Sequence, residues 1–208
     1  MEPIIFILFQ ILIVLFSVVI HEVSHGVAAY SMGDDTAKRL GRLTLNPLKH
    51  LDPFGSVILP IVTLLLGGFI FGYAKPVPYN PLKLSDRKYG PAKVAIAGPL
   101  SNFVVAFGFG TLLRFMPASL DATLLPDVFV FIVLINLMLG IFNLMPVPPL
   151  DGHWLVLTFL PDKFYKFKMF FQQFGIFLFI LLLFVIFPIV FPLVQVLFKV
   201  FTGSSIVI

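Results

Sequence analysis

Residues 3–25 read PIIFILFQILIVLFSVVIHEVSH, and no acidic or basic side chain occurs in this apolar stretch before His21. The apolar character continues to Tyr30. At about 1.5 Å per residue, roughly 20 residues cross the hydrocarbon core of a bilayer, so residues 3–31 are long enough for a transmembrane helix. A signal peptide is the alternative, but the stretch has no basic start and no small-residue cleavage site.

The composition of the whole chain also indicates a membrane protein. Of the 208 residues, 59% are hydrophobic and 12% are charged, and the mean hydropathy is +1.06. Soluble proteins carry about 25% charged residues, so this chain has too little polar surface to cover a soluble globule. This excludes a soluble enzyme, a disordered chain and a nucleic-acid binder. The absence of cysteine excludes disulfides, thiolate catalysis and cysteine-based zinc sites.

Four more apolar stretches follow the first one, at 54–72, 91–116, 128–145 and 169–199. The stretch 54–72 is short and contains Pro60 and several glycines, which favours a re-entrant hairpin shielded by protein. Two late prolines, Pro188 and Pro192, predict that the last helix kinks or ends. The sequence predicts an all-α polytopic membrane protein, a single domain over 1–208 with about four full transmembrane helices.

Basic residues predict the orientation of this domain. Lysine and arginine concentrate in 33–53, 73–92 and 152–168, whereas 116–127 has two aspartates and no basic residue. The positive-inside rule places the three basic segments in the cytoplasm. A full crossing by 54–72 would put its two basic flanks on opposite sides, which again favours re-entry.

The first apolar stretch ends in His21-Glu22-Val23-Ser24-His25, an H-E-x-x-H motif. On a helix the i, i+4 spacing places both imidazoles on one face, where they can share one zinc ion, and Glu22 can act as the general base. The alternative is a polar helix end with unrelated histidines. It fits poorly, because two histidines and a glutamate at membrane depth need a metal or partners to offset their desolvation.

A third ligand is expected from Asn143–Gly152, which reads NLMPVPPLDG and contains Asp151. Its prolines unwind the end of a helix, and the predicted topology brings that end to the same side as the two histidines. The alternative for Asp151 is a proline-rich turn with an Asp-Gly cap. Two intramembrane amides, Asn143 and Asn102, are candidate donors to an oxyanion, and their alternative role is a helix–helix hydrogen bond.

Together these motifs resemble the site-2 protease family of intramembrane zinc metalloproteases. The family combines an H-E-x-x-H helix with an N-x-x-P-x-P-x-L-D-G-like segment, and Ala97–Asn102 looks like its G-P-x-x-N motif. The segments His50–Gly55 and Ala74–Asn80 resemble a prokaryotic branch with a minimal core and no PDZ or CBS domains. The resemblance covers 17–155 in order, whereas the last fifty residues match by character only.

The resemblance implies that His21, His25 and Asp151 hold Zn²⁺, with Glu22 as the base. It also implies a substrate that is a transmembrane helical protein, cleaved within or near the bilayer. The expected location is the inner membrane of a prokaryote, in a multi-pass arrangement whose active site opens toward the cytoplasm. The expected partners are this substrate and the lipid bilayer, with no nucleic acid.

The segment 36–50 is predicted to form a short strand or hairpin, on the evidence of alternating leucines and an Asn-Pro break. Residues 40–46, which include Leu43 and Thr44, and the 54–79 hairpin are together a candidate clamp or gate that holds an unwound substrate by β-addition. His50 is a candidate substrate-binding residue of the cavity, and the alternative for it is an exposed loop position.

Three functional classes remain open from the sequence. An intramembrane zinc endopeptidase explains all the motifs. A non-catalytic metal-binding membrane protein, such as a carrier or scaffold, would not need Glu22 beside its ligands. A membrane metalloprotease of another family would leave the segment Asn143–Gly152 unexplained.

Overall fold

The computed structural model describes residues 2–67, 72–120 and 122–205. These residues form eight α-helices: α1 (Glu2–Ser31), α2 (Thr36–Arg39), α3 (Leu59–Gly67), α4 (Gly90–Arg114), α5 (Leu125–Asn143), α6 (His153–Phe159), α7 (Tyr165–Gln173) and α8 (Gly175–Thr202). The all-helical prediction is confirmed for the described ranges, and no strand occurs within them.

Three of these helices are long and apolar enough to cross a membrane: α1 over Ile5–Ser31, α4 and α5. The last apolar stretch, 169–199, was predicted as one helix, but the structure divides it between α7 and α8. The chain bends by 66° between Asp162–Gln173 and Gly175–Leu181, and α8 continues through positions 188 and 192. This bend lies at Phe174. The helix does not end at the two prolines, which membrane helices tolerate when neighbouring groups satisfy the freed backbone.

The bend coincides with a close contact to the proline-rich segment. A Cβ added to Gly175 would lie 2.4 Å from the Cβ of Pro148. Only glycine allows the start of α8 to approach this segment so closely. The position of the bend is therefore tied to the same segment that carries Asp151.

The apolar core lies between α4, α5 and α8. Its buried side chains include Ala106 from α4, Val133 and Leu137 from α5, and Val194 and Phe198 from α8. Helix α4 also packs along α1. This central position of α4 brings its side chains against both the H-E-x-x-H helix and the helix that leads to Asp151.

The predicted strand over 36–50 does not form. Helix α2 occupies 36–39, Gly41 adopts a positive φ of 63°, and a 3₁₀ helix follows at Pro47–Lys49 with the Asn46 side chain accepting from the Leu48 N–H. The left-handed glycine turns the chain, and proline starts the next helical turn, so no extended run remains. Of the alternating leucines only Leu43 packs on α1, while Leu40 and Leu45 are exposed.

The stretch predicted to re-enter begins with a π-helical turn at Pro53–Ile58 and continues into α3. Residues 68–71 of the predicted hairpin lie outside the described residues. The chain then returns beside its own start: the Tyr73 N–H donates to Gly55 O at 3.0 Å, and the Lys75 N–H donates to His50 O at 2.8 Å. The two ends of this excursion therefore meet at one place.

Residues 72–80, here called the strap, have no helical structure. They cross the end of α1 that is predicted to face the cytoplasm. The Arg42 Nη2 donates to Lys75 O at 2.7 Å. Val77 is buried, and a Cβ added to Gly26 of α1 would lie 2.7 Å from its Cγ1. The strap is thus attached to Arg42 through a main-chain oxygen and to α1 through the Val77 side chain.

Asp34 anchors the far end of the strap. Its carboxylate is fully buried and accepts hydrogen bonds from the Thr36 hydroxyl, the Thr36 N–H and the Asn80 N–H. Burial acts to raise the pKa of Asp34, but these hydrogen bonds outweigh it and hold the pKa below its ordinary value. The ionised carboxylate therefore joins the end of α1 to the end of the strap.

Candidate metal centre

Three potential metal ligands converge at the contact between α1 and the turn after α5. The Asp151 Oδ2 lies 2.9 Å from His21 Nε2 and 3.2 Å from His25 Nε2. One ligand atom from each residue lies within 4.8 Å of the others. Both histidines are buried, at 5% and 8% exposure. The structure therefore brings together the three side chains singled out from the sequence.

Asp151 reaches this position because the chain folds back at the end of α5. The Gly152 N–H donates to Asn143 O at 2.7 Å, and a Cβ on Gly152 would lie 2.2 Å from Leu144 O. Only glycine fits such a close return of the backbone.

The residues that follow Asp151 begin α6. The Trp154 N–H donates to Asp151 O at 3.0 Å, and its ring centroid lies 4.9 Å from that of His153. His153 Nδ1 lies 2.6 Å from Leu150 O, a local contact. A cavity of about 500 Å³ borders Trp154 and is also lined by Lys88 and Lys168.

Both histidines make a hydrogen bond through the nitrogen that faces away from Asp151. His21 Nδ1 lies 2.6 Å from Asn102 Oδ1, and His25 Nδ1 lies 2.7 Å from Val94 O. Carbonyl oxygens only accept, so each Nδ1 carries a proton, and Nε2 is the nitrogen left to bind a metal. Two imidazoles and one carboxylate form a donor set typical of catalytic zinc sites, so the residues fit the ion.

Gly98 of α4 closes the site opposite Asp151. A Cβ added there would lie 2.4 Å from His25 Nε2 and 2.7 Å from His21 Nε2. Any side chain at this position would occupy space beside the ligand atoms. The sequence reasoning quoted Gly98 only as part of Ala97–Asn102, and its role as a spacer is visible only from the packing.

Glu22 is held by the strap. Its Oε2 accepts a hydrogen bond from the Val77 N–H at 2.8 Å, whereas Oε1 accepts none from the described residues. The candidate general base thus has one fixed oxygen and one available oxygen. Val77 gave no signal in the sequence, because the donor is a main-chain group.

The two amides singled out from the sequence have different surroundings. Asn102 is fully buried, and its amide donates to Asn136 Oδ1 at 2.8 Å and to Ser17 O at 3.4 Å. Both amide protons are therefore used within the protein, and none remains for an oxyanion. Asn143 donates one proton to Leu139 O at 3.0 Å, and its other amide proton has no acceptor among the described residues.

The sequence reasoning missed Ser17 and Asn136, which contact Asn102. Both lie in charge-free apolar stretches, and their spacing carried a usable signal. Ser17 precedes His21 by four positions, and Asn136 precedes Asn143 by seven. On a helix both separations place the pair on one face.

The candidate substrate-binding residues Leu43, Thr44 and His50 lie around the strap. His50 is fully buried, with Nε2 2.8 Å from Thr44 O. A Cβ added to Gly26 would lie 2.5 Å from the Cδ2 of Leu43. Leu43 thus packs on the residue after His25, while His50 and Thr44 contact each other and not the three potential ligands.

Tyr79 is a further residue that the sequence reasoning did not single out. Its hydroxyl is buried and has no hydrogen-bond partner among the described residues. Burial, with a smaller effect from the negative charge of Asp151, raises the pKa of Tyr79 to about 12. The hydroxyl therefore keeps its proton at neutral pH and is available as a donor.

Comparison with known proteins gives consistent matches. The model of peptidase family M50 matches residues 9–123 and 115–184. "Putative zinc metalloprotease YwhC" of Bacillus subtilis is 39% identical over 159 residues, which cover 74% of this chain and 69% of that protein. "Putative zinc metalloprotease Rip2" of Mycolicibacterium smegmatis is 31% identical over 140 residues, and the match spans 52% of its length. No solved structure matches the chain.

Proposed function

The chain belongs to peptidase family M50, the site-2 protease family, and we propose that it is an intramembrane endopeptidase that cleaves transmembrane helical proteins within or near the bilayer. Membership of the family confirms three predictions from the motifs: the resemblance, zinc as the cofactor and a zinc metallopeptidase activity. The observation that carries the proposal is the convergence of His21, His25 and Asp151 beside Glu22 and among apolar helices.

We assign His21, His25 and Asp151 as the zinc ligands. Zinc supplies acidity: when bound, it lowers the pKa of a coordinated water from 15.7 to about 7. Glu22 accepts a proton from the attacking water at Oε1, because Oε2 is held by the Val77 N–H. Glu22 then delivers this proton to the nitrogen of the broken peptide bond.

The carbonyl oxygen of the scissile bond gains negative charge as water attacks and needs hydrogen-bond donors. Asn143 retains one amide proton, and the Tyr79 hydroxyl has no partner among the described residues. We assign this role to Asn143, with Tyr79 as a second donor. Asn102 is assigned instead to the support of His21, since both of its protons are already donated.

The membrane arrangement follows from the basic segments. We propose that 33–53, 73–92 and 152–168 face the cytoplasm of a prokaryotic cell and that the active site opens there. The fourth crossing is α8, after the bend at Phe174. The excursion between Gly55 and Tyr73 enters the bilayer and returns on the same side, which the hydrogen bonds at its two ends support.

The substrate must unwind before cleavage, because the peptide groups of a helix are hydrogen-bonded internally. β-Addition to 36–50 has no support, since no strand forms there and Thr44 O already lies within hydrogen-bond distance of His50. Leu43 instead contacts Gly26, next to His25. We propose that Leu43 contacts the unwound substrate through its side chain, and that Thr44 and His50 hold Leu43 in place.

Proteolysis of a model transmembrane substrate tests the proposal. We expect Glu22→Gln to retain zinc and to lose about 100- to 10,000-fold in cleavage rate, the usual contribution of a general base. His21→Ala and Asp151→Ala should lose zinc, while His153→Ala, whose imidazole makes a local contact, should keep it. Equal cleavage by the wild type and Glu22→Gln would contradict the mechanism, and full zinc retention would remove His21 or Asp151 from the site.

A further inference from the structure

A row of buried polar groups joins α5, α4 and α1 behind His21. The Asn136 Nδ2 donates to Ile132 O and to Ser17 Oγ, both at 2.9 Å. The Asn102 Nδ2 donates to Asn136 Oδ1, and Asn102 Oδ1 meets His21 Nδ1 at 2.6 Å. Ser17 is 4% exposed, and both asparagines are fully buried. Water therefore does not compete for these groups.

Ile132 O, at the end of this row farthest from His21, fixes the direction of the hydrogen bonds in it. Ile132 O is a main-chain carbonyl and can only accept, so it requires the NH₂ group of Asn136. The oxygen of Asn136 must then face Asn102 and receive its NH₂ group. Ser17 O, a second main-chain carbonyl, accepts from the same Asn102 amide at 3.4 Å. The oxygen of Asn102 is thereby turned toward His21.

The orientation of Asn102 selects the tautomer of His21. An amide oxygen at Nδ1 requires a proton on Nδ1 and so leaves Nε2, 2.9 Å from Asp151 Oδ2, as the nitrogen that can bind a metal. A flipped Asn102 would present its NH₂ group to Nδ1 and move the proton to Nε2. That tautomer cannot bind a metal through Nε2.

We propose that Ser17 and Asn136 are positioning residues that set the orientation of Asn102 and, through it, the metal-binding tautomer of His21. The inference rests on the proposed role of His21 as a zinc ligand. His25 needs no such arrangement, because its Nδ1 bonds directly to Val94 O, a main-chain carbonyl. The row of side chains thus provides an oriented acceptor for the Nδ1 proton of His21, as the main-chain carbonyl of Val94 does for that of His25.

A purely structural role in helix packing makes a different prediction. Interhelical hydrogen bonds in membranes contribute about 0.6 kcal/mol on average. Their loss alone would lower thermal stability and leave the zinc affinity of the folded protein unchanged. Zinc affinity, measured by chelator competition on the purified full chain in detergent, therefore separates the two roles.

The test compares Asn136→Leu, Asn136→Asp and Ser17→Ala. Leucine removes the acceptor for Asn102, and we expect about 10- to 100-fold weaker zinc binding, the usual effect of losing a group that orients a ligand. Aspartate at this buried position is favoured in its protonated form, which can donate to Ile132 O and keep an oxygen toward Asn102, so it should restore most of the affinity. Thr202→Val is the matched control, since it removes a buried hydrogen bond to Phe198 O in α8 and should leave zinc affinity unchanged.

A second readout needs no metal. In ¹⁵N-histidine-labelled, zinc-free protein, the ¹⁵N shift of His21 Nδ1 should show a protonated nitrogen in the wild type. In Asn136→Leu it should move toward that of an unprotonated nitrogen, whatever proton Nε2 shares with Asp151. The proposal would be overturned if Asn136→Leu and Ser17→Ala both kept the wild-type zinc affinity and the wild-type tautomer of His21, while His21→Ala still lost zinc. Undiminished zinc binding in His21→Ala would instead contradict the proposed function itself.

Discussion

His21 and Glu22 are neighbours in sequence, but different regions of the molecule hold them. His21 is fixed by side chains of the packed helices, through Asn102 and Asn136. Glu22 is fixed by the main-chain N–H of Val77, in a strap that lies outside the helices. The candidate metal centre thus depends on side chains of the packed helices, whereas the proposed base depends on a connecting segment. Substitutions in the two regions should therefore affect different quantities, zinc affinity in one and turnover in the other.

The largest expected effect comes from Gly98→Ala on the helix side. The new methyl group would lie 2.4 Å from His25 Nε2, and overpacking of this kind costs about 1–3 kcal/mol. We expect about 10- to 100-fold weaker zinc binding and a corresponding loss of cleavage. Gly108→Ala is the control in the same helix, because a Cβ there meets nothing within 4 Å. Wild-type zinc affinity in Gly98→Ala would show that α4 does not limit the centre.

The next largest effect is expected from Val77→Pro on the strap side. Proline removes the N–H that donates to Glu22, and a hydrogen bond to a charged group contributes about 1.5–3 kcal/mol. We expect about a tenfold or greater drop in kcat with zinc content unchanged. Val77→Ala keeps the N–H and should retain most of kcat. If Val77→Pro lost zinc, the separation between the two regions would fail.

The smallest effect on zinc binding is expected from Asp34→Asn, at the anchor of the strap, where the change is in the stability of the fold. The folded pKa of Asp34 lies below its ordinary value, so the carboxylate stabilises the fold above a pH of about 4. This contribution is lost as the pH falls through the folded pKa. We expect Asp34→Asn to be less stable by about 1–3 kcal/mol at pH 7, because an amide NH₂ would face a hydrogen-bond donor.

The pH dependence gives the measurement. The difference in thermal midpoint between Asp34→Asn and the wild type should narrow below pH 4, with little change in zinc affinity at pH 7. Asp162→Asn is the control, since the Asp162 side chain is fully exposed, and surface substitutions change stability by less than about 0.5 kcal/mol. An equal difference at pH 7 and pH 3.5 would contradict the ionised state of Asp34.

The sequence allowed much of the helical framework to be predicted, because charge-free stretches and flanking charges carry strong signals in membrane proteins. It also singled out the three side chains that the structure places together, since polar residues are rare in apolar surroundings. It could not predict the contact from Val77 to Glu22. A main-chain donor has no residue type, and its position depends on tertiary packing.

The errors have physical causes of the same kind. The leucines of 36–50 suggested a strand, but the left-handed Gly41 and the 3₁₀ turn at Pro47 override that alternation. The two late prolines suggested that the last helix kinks or ends there, and an end was wrong, since α8 continues past both. A 66° bend lies earlier, at Phe174, beside the contact between Gly175 and Pro148. Asn102 was singled out as an amide near the site, yet its orientation is set by groups on two other helices.

Trp154 has a practical consequence for spectroscopy. It is the only tryptophan in the chain, it begins three positions after Asp151, and its ring contacts His153 and borders the neighbouring cavity. Selective excitation of the indole therefore reports on one place, the cavity along α6, close in sequence to Asp151. A change in its emission on metal loading or when a substrate docks can be followed without any attached dye.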